Sequence, residues 1–424
     1  MKKTALIFLC VVLVSACKKS VDLHQGKPAS FTVARCPEEV GFSSERLARI
    51  DSLLQRYVDQ GVMPNAVTFV ARHGKIVHHK AFGWRNIEKK EPLRKDDIFR
   101  IASQTKAITT VGLMMLFEEG KFLLDDPVGN YLPEWKNVEV LDTIYMKDTT
   151  WKSHKAKQPI TIRMLLSHTS GIPYPNAIYE KYKIPGVNSL EDETIKDISE
   201  RMAKLPLVHE PGTRWTYGLN LEIAGRLIEV LSGMPLDVYL QKRVFEPLGM
   251  NDTYFYLPEE KKNRLVTLYS KDSMNAPLKV CPIEQNQVFP YSGARKVFMG
   301  GAGLVGTIED YARFCQMLLN GGYFNGHQLL GRKTIALMTT NQIGEKNTWD
   351  KNKFGLGFEL FGEEAVTKTL NSRGSYKWGG MYSTDYLIDP EEDLIMLIYT
   401  NAHPFPSPDI HVKFRNLVYQ ALID

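Results

Sequence analysis

Cysteine is scarce in this chain. Five occur among 424 residues, at positions 10, 17, 36, 281 and 315. Cys36, Cys281 and Cys315 are an odd set at wide spacing, which gives neither a disulfide framework nor a zinc pattern. Whether two of them pair stays open. Long apolar runs are missing as well. Residues 5–14 are apolar, but ten residues are too few to span a bilayer. No strong excess of either charge is present, with 53 Lys and Arg against 48 Asp and Glu. Without a dense basic stripe, a nucleic-acid partner is not expected. The sequence has no Gly-x-Ser-x-Gly elbow, no His-Glu-x-x-His and no Gly-x-x-x-x-Gly-Lys-Ser/Thr loop. Those gaps argue against an α/β-hydrolase, a zincin and a phosphate-loop enzyme. His78 and His79 are adjacent on an expected strand and point to opposite faces, so no metal site is expected there. What is present is ordinary globular composition, 43% hydrophobic and 24% charged, enough for a large core.

The first residues read MKKTALIFLCVVLVSACKKS. Lys2 and Lys3, the short apolar run and then Val14-Ser15-Ala16-Cys17 resemble a bacterial lipobox. The expectation is a signal peptide over 1–16 and a lipidated, polar tether over 17–36, with Cys17 carrying the lipid. That implies a membrane partner through the anchor and a place in the bacterial cell envelope, at the outer membrane facing the periplasm or the cell surface. The processed chain carries 51 basic against 48 acidic side chains.

Hydrophobic spacing predicts a helix over 44–58 and a β-hairpin over 66–71 and 76–82, turning at His73-Gly74. Further helices are expected over 104–118, 219–231, 308–320 and 408–422, with another from Pro235 to about 244. A second hairpin is expected over 382–388 and 394–399. Strands thus lie near both termini and helices fill the centre. The economical fold is α/β (α+β): one antiparallel sheet with flanking helices built from 37–105 and 296–424, and a mostly helical domain inserted over 106–295. Segments 136–157 and 271–297 read as polar and irregular.

Ser103-Gln-Thr-Lys106 stands at an expected helix start. Residues three apart share a helix face, so the lysine can meet the hydroxyl. The Ser103 N–H sits at the positive helix end, where an oxyanion is stabilised. A buried lysine near other cations loses its proton more readily and can help to activate the serine. Spacing alone is weak, because Ser15-Ala-Cys-Lys18 fits it too.

More blocks follow in order: Leu165-Leu-Ser-His-Thr-Ser-Gly171, Glu210-Pro-Gly-Thr-Arg-Trp-Thr-Tyr217, Pro247-Leu-Gly-Met250, Gly300-Gly-Ala-Gly-Leu304 and Trp378-Gly-Gly380. With the Ser103 block this set resembles the class C β-lactamase-like and penicillin-binding-protein serine hydrolases, over roughly 41–401. The resemblance implies an α/β domain beside a helical one with the site between them. It implies Ser103 as nucleophile, Lys106 as its activating partner and Tyr217 as base or proton relay, with no cofactor. It further implies an oxyanion hole from the N–H groups of Ser103 and Met381, and a substrate edge at Trp378, Gly379 and Gly380. The block at His168-Thr-Ser-Gly171 is structural in that family.

Two departures bear on specificity. The usual Tyr-x-Asn is here Tyr217-Gly-Leu219-Asn220, with the asparagine one place late, which rotates it about 100° on a helix. Leu219 and Asn220 are therefore substrate-side candidates of altered chemistry. The usual Lys-Thr-Gly is here Trp378-Gly379-Gly380. Only one of Lys377 and Trp378 can face the cleft, and the paired glycines favour Trp378. Both departures resemble the family VIII carboxylesterases. They imply a small-molecule ester substrate. A β-lactamase or DD-peptidase on the same site, or a binding lipoprotein without chemistry, are the alternatives.

Overall fold

The computed structural model describes residues 27–273, 275–363, 367–404 and 409–424. The expected signal peptide and Cys17 lie outside the described residues. Helix α1 (Ser44–Asp59) starts where Ser43 accepts the Arg46 N–H, and it buries Leu47, Ile50, Leu53, Leu54 and Tyr57 along one face. Strands β1 (Asn65–Arg72) and β2 (Lys75–Asn86) follow, joined at His73-Gly74, both left-handed at φ 53° and 71°. Two left-handed residues give the tight turn whose twist matches a hairpin.

Helix α2 (Thr105–Glu118) and helix α3 (Asn220–Ser232) belong to the central region. Helix α4 (Ile308–Leu319) returns the chain to the sheet. Strands β3 (Tyr376–Gly380), β4 (Thr384–Asp389) and β5 (Leu394–Tyr399) and helix α5 (Asp409–Tyr419) complete it. Among the described residues nine strands form one sheet. Strand β5 pairs antiparallel with β1, Leu397 opposite Phe69, and so joins the two ends of the sequence. Beyond β5 come β4, β3, then the short strands Glu359–Leu360 and Lys353–Phe354. The sheet is antiparallel except at the Thr32–Val33 edge, which runs parallel to β2.

Alternation sorts the strand residues. Val70, Leu387, Met396 and Ile398 face α1 and α5, while Phe69, Tyr386, Leu397 and Tyr399 face α4. Because helices cover both faces, Leu394-Ile-Met-Leu-Ile-Tyr399 is buried throughout. The apolar cluster on the α4 side continues through α2 and α3. Helix α2 is buried from Thr105 to Leu116 on every side, and apart from Lys106 and three threonines its residues there are apolar.

One expectation is corrected in the centre. Residues 136–157, read as irregular, contain a hairpin of Glu139–Tyr145 and Thr150–Lys155. Only Val140 in it is fully buried, so no apolar-polar alternation announces it. Cys36, Cys281 and Cys315 are all free thiols; Cys36 is exposed and the other two are buried.

Candidate active site

The turn that carries Ser103 is strained just after the short strand Phe99–Arg100, which pairs with Val305–Gly306. Ala102 is left-handed at φ 44°, a conformation that costs a non-glycine residue about 1–3 kcal/mol. Ser103 lies in a single tight turn, Ala102–Gln104, that runs straight into α2. Lys106, one turn on, points its Nζ at Ser103 Oγ from 3.2 Å. The same Nζ donates to the Tyr174 hydroxyl at 2.9 Å and to the Gly301 carbonyl at 2.7 Å.

Burial alone pushes the Lys106 ammonium toward neutrality. Tyr174, Tyr217 and Glu222 around it outweigh that effect and hold it above the usual lysine range. This corrects the expected cationic neighbourhood: Lys106 is a stable cation ringed by phenols and a carboxyl group. Glu222 is itself fully buried, and burial raises its carboxyl. Its Oε1 lies where a Cβ on Gly301 would fall, 2.2 Å away, so only glycine lets that backbone pass between carboxyl and ammonium.

Tyr217 accepts a hydrogen bond from Trp378 Nε1 at 3.0 Å. Its ring lies 4.9 Å from Lys106 Nζ, and it packs on Trp378 at 5.0 Å, Tyr174 at 5.1 Å and His168 at 4.7 Å. His168 supports this ring. Burial, then the Lys106 charge, keeps its imidazole neutral. Ser170 bonds the Asn220 carbonyl oxygen and the Ile172 N–H, so it does not pair with His168.

Strand β3 brings its glycines against the Ser103 turn. A Cβ on Gly380 would sit 2.3 Å from the Ile101 carbonyl oxygen, so the approach needs glycine. Among the described residues, no further strand pairs with the edge of β3 beyond Lys377 on the Glu359–Leu360 side. Trp378 turns toward Tyr217, and Lys377 pairs with Glu359 at 3.2 Å; both residues line the cavity, which corrects the expectation that only one of them can face it. A cavity of about 500 Å³ opens here, lined by Ser103, Tyr217, Trp378, Gly379, Gly380 and Met381 among others. The structure therefore gathers Ser103, Lys106, Tyr217 and the β3 residues.

It does not bring Leu219 or Asn220 to the cavity. Leu219 is wholly buried in the apolar core at the start of α3. Asn220 is wholly buried too, holding His168 Nδ1 at 3.0 Å. Among the described residues no three His, Cys, Asp or Glu side chains converge as a metal site would need.

Sequence reasoning missed Tyr174, Glu222 and Trp349. Tyr174 follows the Ser167-His-Thr-Ser-Gly171 block by three residues, the one local signal available. Trp349 lines the cavity from a distant turn.

Residues 50–420 match the family model described as beta-lactamase. The chain is 32% identical to Protein Rv1367c of Mycobacterium tuberculosis over 85% of this chain and 90% of that protein. It is 27% identical to Esterase EstB of Burkholderia gladioli over 88% of this chain and 95% of the esterase. Among solved structures it is similar to EstCE1, titled a hydrolase with promiscuous acyltransferase activity. The TM-score is 0.74 at 26% identity, covering 88% of this chain and 99% of the other. Sheet, helical centre and the Ser103 turn between them agree with that match: the chain belongs to the beta-lactamase family of serine hydrolases.

Proposed function

We propose that this enzyme hydrolyses carboxylic esters through an acyl-enzyme on Ser103. The observation that carries this reading is the indole N–H of Trp378 on the Tyr217 oxygen, 3.0 Å away. An indole stands where a cation would hold a substrate carboxylate. Around it the cavity lining carries Asp350, and its other two carboxylates are in ion pairs, Glu359 with Lys377 and Asp385 with Arg415. His411, also on the lining, is kept neutral by burial. Such a wall offers no uncommitted cation to an anionic β-lactam or peptide C-terminus. Asn220, the nearest amide to the family's amide-holding position, is sealed in the core. An uncharged ester needs neither group.

In the reaction Ser103 Oγ attacks the ester carbonyl carbon. The oxyanion is held by the N–H groups of Ser103 and Met381, with the Lys106 cation beneath. The Ser103 proton travels by way of Tyr217 to the departing alkoxide as the C–O bond breaks. Water then attacks the acyl-Ser103 ester, returns a proton through Tyr217 to Oγ and releases the acid. The lipobox at Val14–Cys17 supports lipidation of Cys17 and anchoring in the cell envelope.

The test compares p-nitrophenyl acetate and butyrate with a chromogenic cephalosporin, using wild type and Ser103→Ala. Ester turnover lost in Ser103→Ala, with the cephalosporin slow, is expected. Faster cephalosporin turnover, or ester turnover that survives Ser103→Ala, overturns the reading.

A further inference from the structure

Trp349 is 70% exposed, although it is among the most apolar side chains in the protein. An indole left in water adds little to folding, so its position calls for another reason. It lines the cavity that holds Ser103. Its ring centroid lies 4.9 Å from that of Trp215 and 5.3 Å from that of Tyr217, nearly perpendicular to both at 85° and 79°. It is thus stacked on neither, and a flat partner can still stack on it.

The turn beneath Trp349 is held firmly. Thr348 N–H donates to the Asn352 carbonyl at 2.9 Å, and Thr348 Oγ1 donates to Glu359 Oε1 at 2.8 Å. Glu359 in turn pairs with Lys377 of β3. The chain Thr348–Glu359–Lys377 ties the turn that carries the indole to strand β3. The backbone that carries Trp349 is therefore anchored to the fold, and its indole rests edge-on against Trp215 and Tyr217.

Its neighbour Tyr217 decides which part of the substrate it meets. In the proposed reaction Tyr217 hands a proton to the leaving oxygen, so the group on that oxygen lies beside Tyr217 and next to Trp349. We propose that Trp349 is a specificity-determining wall for the alcohol side of the ester, and that preferred substrates carry a flat apolar group there, of aryl size or larger. This rests on the ester reading above.

The test uses three acetates with leaving alkoxides of similar basicity: ethyl, benzyl and 2-naphthylmethyl. Acid release gives kcat/KM for wild type, Trp349→Ala and Trp349→Phe. The readout is the ratio of naphthylmethyl to ethyl, which cancels any loss of folded enzyme. Wild type is expected to favour naphthylmethyl by about tenfold or more, Trp349→Ala to lose about tenfold of that ratio through KM, and Trp349→Phe to keep most of it. A wild-type ratio near one, or a ratio unmoved in Trp349→Ala, overturns this proposal while leaving the ester reading intact. A wild type that cleaves none of the three overturns both.

Discussion

The indole Nε1 of Trp378 donates to the hydroxyl oxygen of Tyr217 at 3.0 Å, across 161 residues of sequence. That bond makes the Tyr217 oxygen an acceptor before any substrate arrives. It also turns the Tyr217 hydroxyl proton away from the indole. Trp378→Phe keeps the ring contact and removes the donor. A neutral hydrogen bond contributes about 1 kcal/mol, so kcat/KM on a short ester should fall about fivefold, and stability should fall by about 1–3 kcal/mol because the smaller ring also leaves space in the core. Steady-state kinetics beside a melting curve check this. An unchanged kcat/KM would mean that the indole positions nothing.

Lys106 has the converse character: it is a buried cation whose removal strands its neighbours. Lys106→Met should lower kcat by about 10²–10⁴, the range of a lost proton-transfer or charge-stabilising partner. It should also destabilise the fold by about 3 kcal/mol, because Glu222 loses the charge that balances it. Adding Glu222→Gln to Lys106→Met should restore part of that stability and none of the activity. Denaturant titrations of the single and double variants measure the coupling. Strict additivity would show that the two groups do not interact.

Gly380 tests how closely β3 must approach the Ser103 turn. An added methyl would fall 2.3 Å from the Ile101 carbonyl oxygen and 2.4 Å from Thr384 Oγ1, so β3 must shift. At Gly379 the nearest atom, the Thr384 carbonyl oxygen, is 2.9 Å away. Gly380→Ala is expected to reduce kcat about 10²-fold by moving the Met381 N–H, and Gly379→Ala to reduce it less. Acylation of Ser103 followed in a single turnover reads the effect. Equal losses in the two variants would separate the rate from the Ile101 contact.

Much of this fold was legible because its signals are local. His73-Gly74 marks a two-residue turn, and the run 394–399 is strand from end to end as expected. Ser103 and Lys106 meet because three residues along a helix return to one face. The environment of Lys106 was not legible. Its hydrogen-bond partners Tyr174 and Gly301 lie 68 and 195 residues away, and their phenol and carbonyl reverse the expectation of a cationic neighbourhood. Asn220 shows the same limit. One residue of offset was visible in the sequence, but its burial against His168 depends on how α3 docks. Residues 139–155 escaped because both faces of that hairpin are largely polar.

Asp310 carries the last prediction, one of stability and pH. It sits in the first turn of α4, and its Oδ2 accepts the Asp252 N–H at 2.7 Å and the Thr253 hydroxyl at 2.9 Å. Burial raises its carboxyl from 3.8 to about 6, against the pull of those two donors. The folded state therefore holds this proton more tightly than the unfolded chain. The stability it contributes is full below pH 3.8 and is lost as pH rises to about 6. Asp310→Asn keeps an acceptor for both donors and cannot ionise. The variant should match wild type near pH 4 and exceed it by about 2–3 kcal/mol at pH 7.5. Chemical denaturation at the two pH values gives the difference directly. A gap that is the same at both would show that Asp310 ionises in the fold as readily as in the unfolded chain, and that its two donors fully offset its burial.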